Sequence, residues 1–225
     1  MRIVHIYHSG FLVELESDAL VFDWYHGKLP EIRKGRKTTV FVSHSHGDHY
    51  GRCIWKLAEK DPGTEYVLDS SITPKGGTRT TLVKPEMEYC IGDLRVRTFD
   101  STDEGVAFLV EAEGKLIFHS GDLNLWYWEG EPDEDNRSQI ARYHAEIDKL
   151  SEVLAGRTVD AAFIPVDPRL EGHACDGLRV FLDKIPCREV FPMHYWDRRR
   201  EAEELFRKSG IKGTTVSFED EAELG

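Results

Sequence analysis

Apolar positions come in short runs through the first half of the chain and in longer, helix-spaced sets through the second. Arg2–Tyr7, Phe11–Glu16 and Ala19–Trp24 read as strands, punctuated by turns at Ser9-Gly10 and Ser17-Asp18. Thr39–Ser43 is β-branched and aromatic, which predicts a buried strand. A helix is expected over Gly51–Lys60, with Ile54, Leu57 and Ala58 inward, stopped by Asp61-Pro62-Gly63. Strands are expected again at Tyr66–Leu68, Glu88–Ile91, Leu94–Phe99, Val106–Ala112 and Leu116–His119, the last two joined by a Glu113-Gly114 turn. A helix over Arg137–Ala155 carries Ile140, Tyr143, Ile147, Leu150 and Leu154 on one face, with Asn136 as its cap and Gly156 at its end. The pattern closes with a strand (Ala161–Pro165), a helix (Gly177–Lys184), a strand (Glu189–Pro192), a helix (Arg199–Ser209) and a strand (Thr214–Phe218). Each half therefore runs from strands to helices. Two mixed sheets packed face to face with helices outside, an α+β architecture, would bury this pattern in a single domain spanning residues 1–225.

Composition narrows the function. Apolar residues make up 40% and charged residues 31% of 225, as in a soluble globular domain, and no apolar run is long enough for a bilayer. The N-terminal segment lacks the apolar core and cleavage site of a signal peptide, so the cytoplasm is the expected compartment. The net charge of -12 argues against a nucleic-acid partner. The Arg198-Arg199-Arg200 cluster leads directly into Glu201, Glu203 and Glu204 and reads as a solvated helix start. The four cysteines are widely spaced and are expected to be free thiols.

The chemistry is concentrated in Ser43-His44-Ser45-His46-Gly47-Asp48-His49, a His-x-His-x-Asp-His motif at the end of a predicted strand. Three imidazoles and a carboxylate on one loop offer neutral nitrogen donors plus an anion, the set that a pair of divalent ions needs. One loop cannot complete such a site. Asp122, in Ser120-Gly121-Asp122 after a strand, is a candidate bridging carboxylate, and His194, in Pro192-Met193-His194-Tyr195, is a candidate ligand at another strand end.

With these residues in place the chain resembles the metallo-β-lactamase-fold hydrolases along its full length. It is most similar to the small single-domain branch that includes ascorbate-6-phosphate lactonase-like and N-acylphosphatidylethanolamine phospholipase D-like proteins. The resemblance implies an αββα sandwich with metals at one edge between the sheets. It assigns His44 and His46 to a first metal, Asp48, His49 and His194 to a second, and Asp122 to both. It further implies a hydroxide held by the metals as nucleophile, oriented by Asp48. One departure stands out, because the family supplies another histidine from a segment before Asp122, whereas no histidine lies between His49 and His119. The corresponding stretch offers Asp100, Ser101, Asp103 and Glu104, of which Asp103 is the preferred substitute. Zinc is the expected metal, and an oxygen donor in place of nitrogen would shift preference towards Mn, Mg or Fe(II).

The expected function is hydrolysis of a small lactone, ester, amide or phosphodiester. The competing class is a non-catalytic or mononuclear metal-binding sensor on the same fold, which the missing histidine favours. A nuclease is disfavoured by the acidic charge, and a flavodiiron protein by His46, where that group has an acid. His8 is a candidate to support a ligand or to face substrate, with a purely structural role as the alternative; His173 and Asp167 could reach substrate; and His119 is expected to be structural or to support a ligand. The aromatic sets Trp24-Tyr25-His26, Trp126-Tyr127-Trp128 and Tyr195-Trp196 could wall a pocket or serve a homo-oligomer interface.

Overall fold

The computed structural model describes all residues, Met1–Gly225. Six strands open the chain: β1 (Arg2–Tyr7), β2 (Gly10–Glu14), β3 (Asp18–Phe22), β4 (Lys37–Val42), β5 (Glu65–Asp69) and β6 (Arg79–Val83), with helix α1 (Lys56–Lys60) between β4 and β5. Then follow β7 (Glu88–Ile91), β8 (Leu94–Asp100), β9 (Val106–Ala112) and β10 (Lys115–His119). The remainder is α2 (Asp133–Leu154), β11 (Val159–Pro165), α3 (Asp176–Lys184), β12 (Cys187–Met193), α4 (Arg199–Ser209), β13 (Thr215–Val216) and β14 (Glu221–Glu223). They form two seven-stranded mixed sheets, ordered β14-β1-β2-β3-β4-β5-β6 and β13-β12-β11-β10-β9-β8-β7.

Strand alternation builds the layers. In β2, Phe11 and Val13 point between the sheets while Leu12 points outward; in β9, Phe108 and Val110 face the first sheet while Ala107 and Leu109 face the helices. The inter-sheet core joins Phe22 and Phe41 of one sheet to Phe108 and Phe163 of the other. Outside the second sheet lie Tyr143, Ile147 and Leu150 of α2, Leu178 and Phe181 of α3, and Ala202 of α4. Outside the first lie Ile54 and Trp55. The result is a four-layer αββα sandwich. No helix is long and apolar enough to cross a membrane, and all four cysteines are free thiols.

Several local expectations are corrected. The Gly51–Lys60 helix is a 3-10 turn over Arg52–Trp55 followed by five residues of α-helix. Helix α2 begins at Asp133, three acidic residues sooner than Asn136, where they complement the helix dipole. Asn136 is not its cap; it lies buried inside the helix and pairs with both backbone groups of Trp128, at 3.0 and 2.9 Å. The final strand shrinks to Thr215–Val216. Strands β6 and β14 were unforeseen, because both are largely exposed edge strands without an apolar period.

Close backbone approach at one end of the sandwich sets the stage for the site. Gly105 has φ +76, and a Cβ there would meet Ser43 O at 2.0 Å and His44 Cβ at 2.5 Å. Gly105→Ala should therefore destabilise the fold by roughly 2–5 kcal/mol, from left-handed strain plus backbone overlap. Gly114→Ala, at φ +75 in open space, is the control, with a loss of about 1 kcal/mol. Thermal denaturation of the two variants measures the difference; equal losses would show that the approach to Ser43 is not tight.

Candidate metal centre

Every candidate donor sits at a strand end on the same edge of the sandwich. His8 follows β1, Ser43–His49 follow β4, Asp122 follows β10 and His194 follows β12. Two groups result, His44, His46 and Asp122, and His8, Asp48, His49 and His194, with the ligand atoms in each within 4.8 Å of one another. Asp122 faces both groups. Its Oδ2 lies 3.5 Å from His44 Nε2, and its Oδ1 lies 3.0 Å from His49 Nε2 and 3.2 Å from His194 Nε2.

These separations fit donors that share a cation. A tetrahedral set about 2.0–2.1 Å from zinc puts neighbouring donors roughly 3.3 Å apart. The donors are also unspent: His44 Nε2, His49 Nε2 and Asp122 Oδ1 are buried without a hydrogen-bond partner. Buried polar atoms are rarely left so, and unpartnered donors in both groups suit bound cations.

Charge points the same way. Burial opposes charge on His49, yet Asp122 and Asp23 outweigh it and hold its pKa well above the ordinary value. Burial likewise opposes charge on His194, and Asp122 and Asp167 raise its pKa. Asp122, despite burial, is held well below the carboxylate range by His49 and His194. The centre thus favours positive charge. His44, pushed down to about 4 by burial and then by His49, is a neutral donor near pH 7.

A buried carboxylate orients the donors. Asp23 accepts from the Ser43 backbone N–H (2.8 Å), from Ser43 Oγ (2.7 Å) and from His49 Nδ1 (2.7 Å). A carboxylate only accepts, so His49 carries its proton on Nδ1 and turns the Nε2 lone pair to the centre. Ser43 Oγ, its own proton given to Asp23, takes the Nδ1 proton of His44 at 3.0 Å, with the same outcome. Asp23 thereby fixes one imidazole of each group. Asp167 does this for His194, accepting from Nδ1 at 3.0 Å, and Arg169 holds Asp167 in a fork. His8, Asp23, His194 and Trp196 are four of the eight non-glycine residues with positive φ. Such strain concentrates where surrounding contacts over-determine the backbone.

The centre opens into a cavity of about 290 Å³ lined by His46, Asp48, Asp103, Trp126, Trp128 and Arg169. A larger groove of about 990 Å³ under Lys28–Arg36 contains none of the donors, so the smaller one is the relevant opening. Asp103 lines the cavity but lies outside both donor groups; burial and then Asp122 raise its pKa. Of the same acidic turn, Glu104 reaches His46 Nε2 at 3.2 Å, while Ser101 is buried. His119 is a framework residue, its Nε2 on Ser9 O at 2.9 Å and its Nδ1 accepting from Gly121 N–H at 3.1 Å. His173 stacks on Tyr127 and pairs with Asp176, away from the cavity lining. Sequence reasoning missed Asp23 as an anchor and placed Asp167 facing substrate; the only signal for either is an acid at the end of a strand.

This is a metallo-β-lactamase-fold chain. Its architecture matches a metallo hydrolase of Ignicoccus hospitalis with a TM-score of 0.66 at 19% identity, covering 100% of this chain and 99% of that one. It also matches the metallo-β-lactamase fold protein YhfI of Bacillus subtilis with a TM-score of 0.56 at 12% identity, over 96% and 95% of the two chains. No family model matches the sequence. Among curated relatives, a UPF0173 protein of Pyrococcus furiosus is 32% identical over 54% of this chain, and the match spans 60% of that protein. A UPF0173 metal-dependent hydrolase of Alkaliphilus metalliredigens is 26% identical over 87% of this chain and 85% of its own length.

Proposed function

We propose that the chain is a metal-dependent hydrolase acting on a small substrate at a carbonyl or phosphoryl centre. His44, His46 and Asp122 hold one divalent ion in this reading, and Asp48, His49 and His194 hold a second together with Asp122. The observation that carries it is Asp122 itself, a buried carboxylate with one oxygen turned to each group of imidazoles. The relatives' shared description as metal-dependent hydrolases supports it. Bound there, divalent ions would polarise the scissile group and lower the pKa of a water from about 15.7 towards about 7.

The chain's own residues supply the rest. Asp23 and Asp167 keep the imidazole lone pairs aimed, Trp126 and Trp128 line the cavity, and half-exposed Asp48, which lines it too, would orient a nucleophile. Zinc suits the imidazole-rich donor set, and the exposed Glu104 beside His46 leaves room for Mn or Fe(II).

The test is elemental analysis of protein purified without chelator, paired with a panel of lactones, aryl esters and phosphodiesters. About two equivalents per chain, with turnover lost on chelation and restored by metal, is the expected result. One equivalent or fewer with no turnover would favour a non-catalytic sensor, the reading that the absent first-site histidine supports.

A further inference from the structure

His8 lies among the donors but is held differently from them. His49, His194 and, through Ser43, His44 each give the Nδ1 proton to an acceptor, which leaves Nε2 free to donate a lone pair. His8 does the reverse, because its Nδ1 accepts the backbone N–H of Trp196 at 3.4 Å. A neutral imidazole whose Nδ1 is an acceptor carries its proton on Nε2. That Nε2 is fully buried, has no hydrogen-bond partner, and stands 3.7 Å from Asp48 Oδ2, too far to be spent there.

The ring has little freedom to adopt the other orientation. The Trp196 indole stacks on it at 4.1 Å with planes 29° apart, and the His194 ring lies 4.2 Å away. The His8 carbonyl accepts from the His194 backbone N–H at 3.3 Å. His8 and Trp196 both hold positive φ, at 56° and 44°, so the backbone is bent on both sides to make this pairing. Arg169 lies over the Trp196 ring at 4.5 Å.

We propose that His8 is a neutral hydrogen-bond donor, and not a metal ligand, whose Nε2–H is aimed at an oxyanion of the substrate beside the second donor group. The proposal rests on the metal-centre reading above and concerns what that centre recognises. An oxygen that gains negative charge during attack on a carbonyl or phosphoryl group would meet a fixed N–H that costs no reorganisation.

The test uses Co2+ alone and then inorganic phosphate as a stand-in oxyanion, on the full chain and on His8→Ala, His8→Gln and His8→Asn. Calorimetry counts Co2+ sites, the visible spectrum reports the ligand set, and a second titration gives the phosphate Kd. All variants should take up Co2+ with the stoichiometry and spectrum of the parent. His8→Ala should weaken phosphate roughly ten- to a hundredfold, the effect of losing one hydrogen bond to a charged group. His8→Gln, whose amide N–H reaches close to Nε2, should recover to within about threefold, and the shorter His8→Asn should not. If His8→Ala fails to fold, the Gln and Asn pair carries the comparison.

A lost equivalent of Co2+ or an altered spectrum in the folded variants would make His8 a ligand and overturn the proposal. Unchanged phosphate affinity in all of them would also overturn it, leaving the centre intact. Failure of the parent chain to bind Co2+ at all would sink the metal-centre reading, and the donor role with it.

Discussion

Asp122→Ala is expected to remove bound metal and turnover together, lowering any hydrolytic rate by about a thousandfold or more. The carboxylate is the only donor that faces both imidazole groups. Without it the first group keeps only His44 and His46, and the second loses the anion that raises the pKa of His49 and His194. The first site should empty before the second, since it retains no negative charge. Asp122→Asn separates shape from charge: the amide fills the same space yet carries one neutral oxygen and no charge, so it should fold normally and still bind metal poorly. Metal content after dialysis, measured beside the rate, checks both variants. Full metal and full rate in Asp122→Ala would mean that the centre has been assigned to the wrong residues.

Asp23→Ala should be the most damaging change outside the donor set. The side chain is fully buried and accepts three hydrogen bonds. Its removal takes the acceptor from the Ser43 N–H, the Ser43 hydroxyl proton and the His49 Nδ1 proton, a loss of about 3–5 kcal/mol. Metal affinity should fall by about 10–100-fold in both groups, as when an outer carboxylate is deleted from a histidine ligand.

Asp23→Asn gives the sharper result. Its amide N–H2 can face His49 only if that ring takes the opposite tautomer, with Nδ1 as acceptor and a proton on Nε2. The variant should then melt within a few degrees of the parent while its metal affinity collapses. Calorimetry and competition against a chromophoric chelator give the two numbers. Parental affinity in Asp23→Asn would show that the carboxylate does not set the tautomers.

The donor loop was legible because its chemistry is dense: three histidines and an aspartate within His44–His49 have few reasons to be adjacent on a surface loop. Asp122 and His194 were legible through position, each ending a short apolar strand. Asp23 also ends an apolar strand, but one acid there is ordinary, and only the folded chain brings it against Ser43 and His49. His8 showed as a histidine before a turn; its role depends on Trp196, which the sequence holds nearly the whole chain away. The acidic turn before β9 illustrates the limit. The resemblance offered Asp103 as a substitute donor; the turn buries Ser101 and Thr102 and places Asp103 on the cavity wall, outside the two donor groups. Interior strands followed their apolar alternation, whereas edge strands β6 and β14, half in water, carried no such pattern.

The proposed metal donors come from the ends of β4, β10 and β12, so the cage would close only when both halves of the chain have met. Such distant pairings form slowly. The His44–His49 loop, by contrast, is local, and on the proposed reading it would capture a cation from a chain that has folded nowhere else. Metal held in that way stabilises the unfolded ensemble and lowers the net drive to fold. During synthesis the loop precedes His194 by most of the second sheet, so on the proposed reading loading of the complete centre would be a late event. A chain stalled before β12 would hold its metal in an open, exchangeable form.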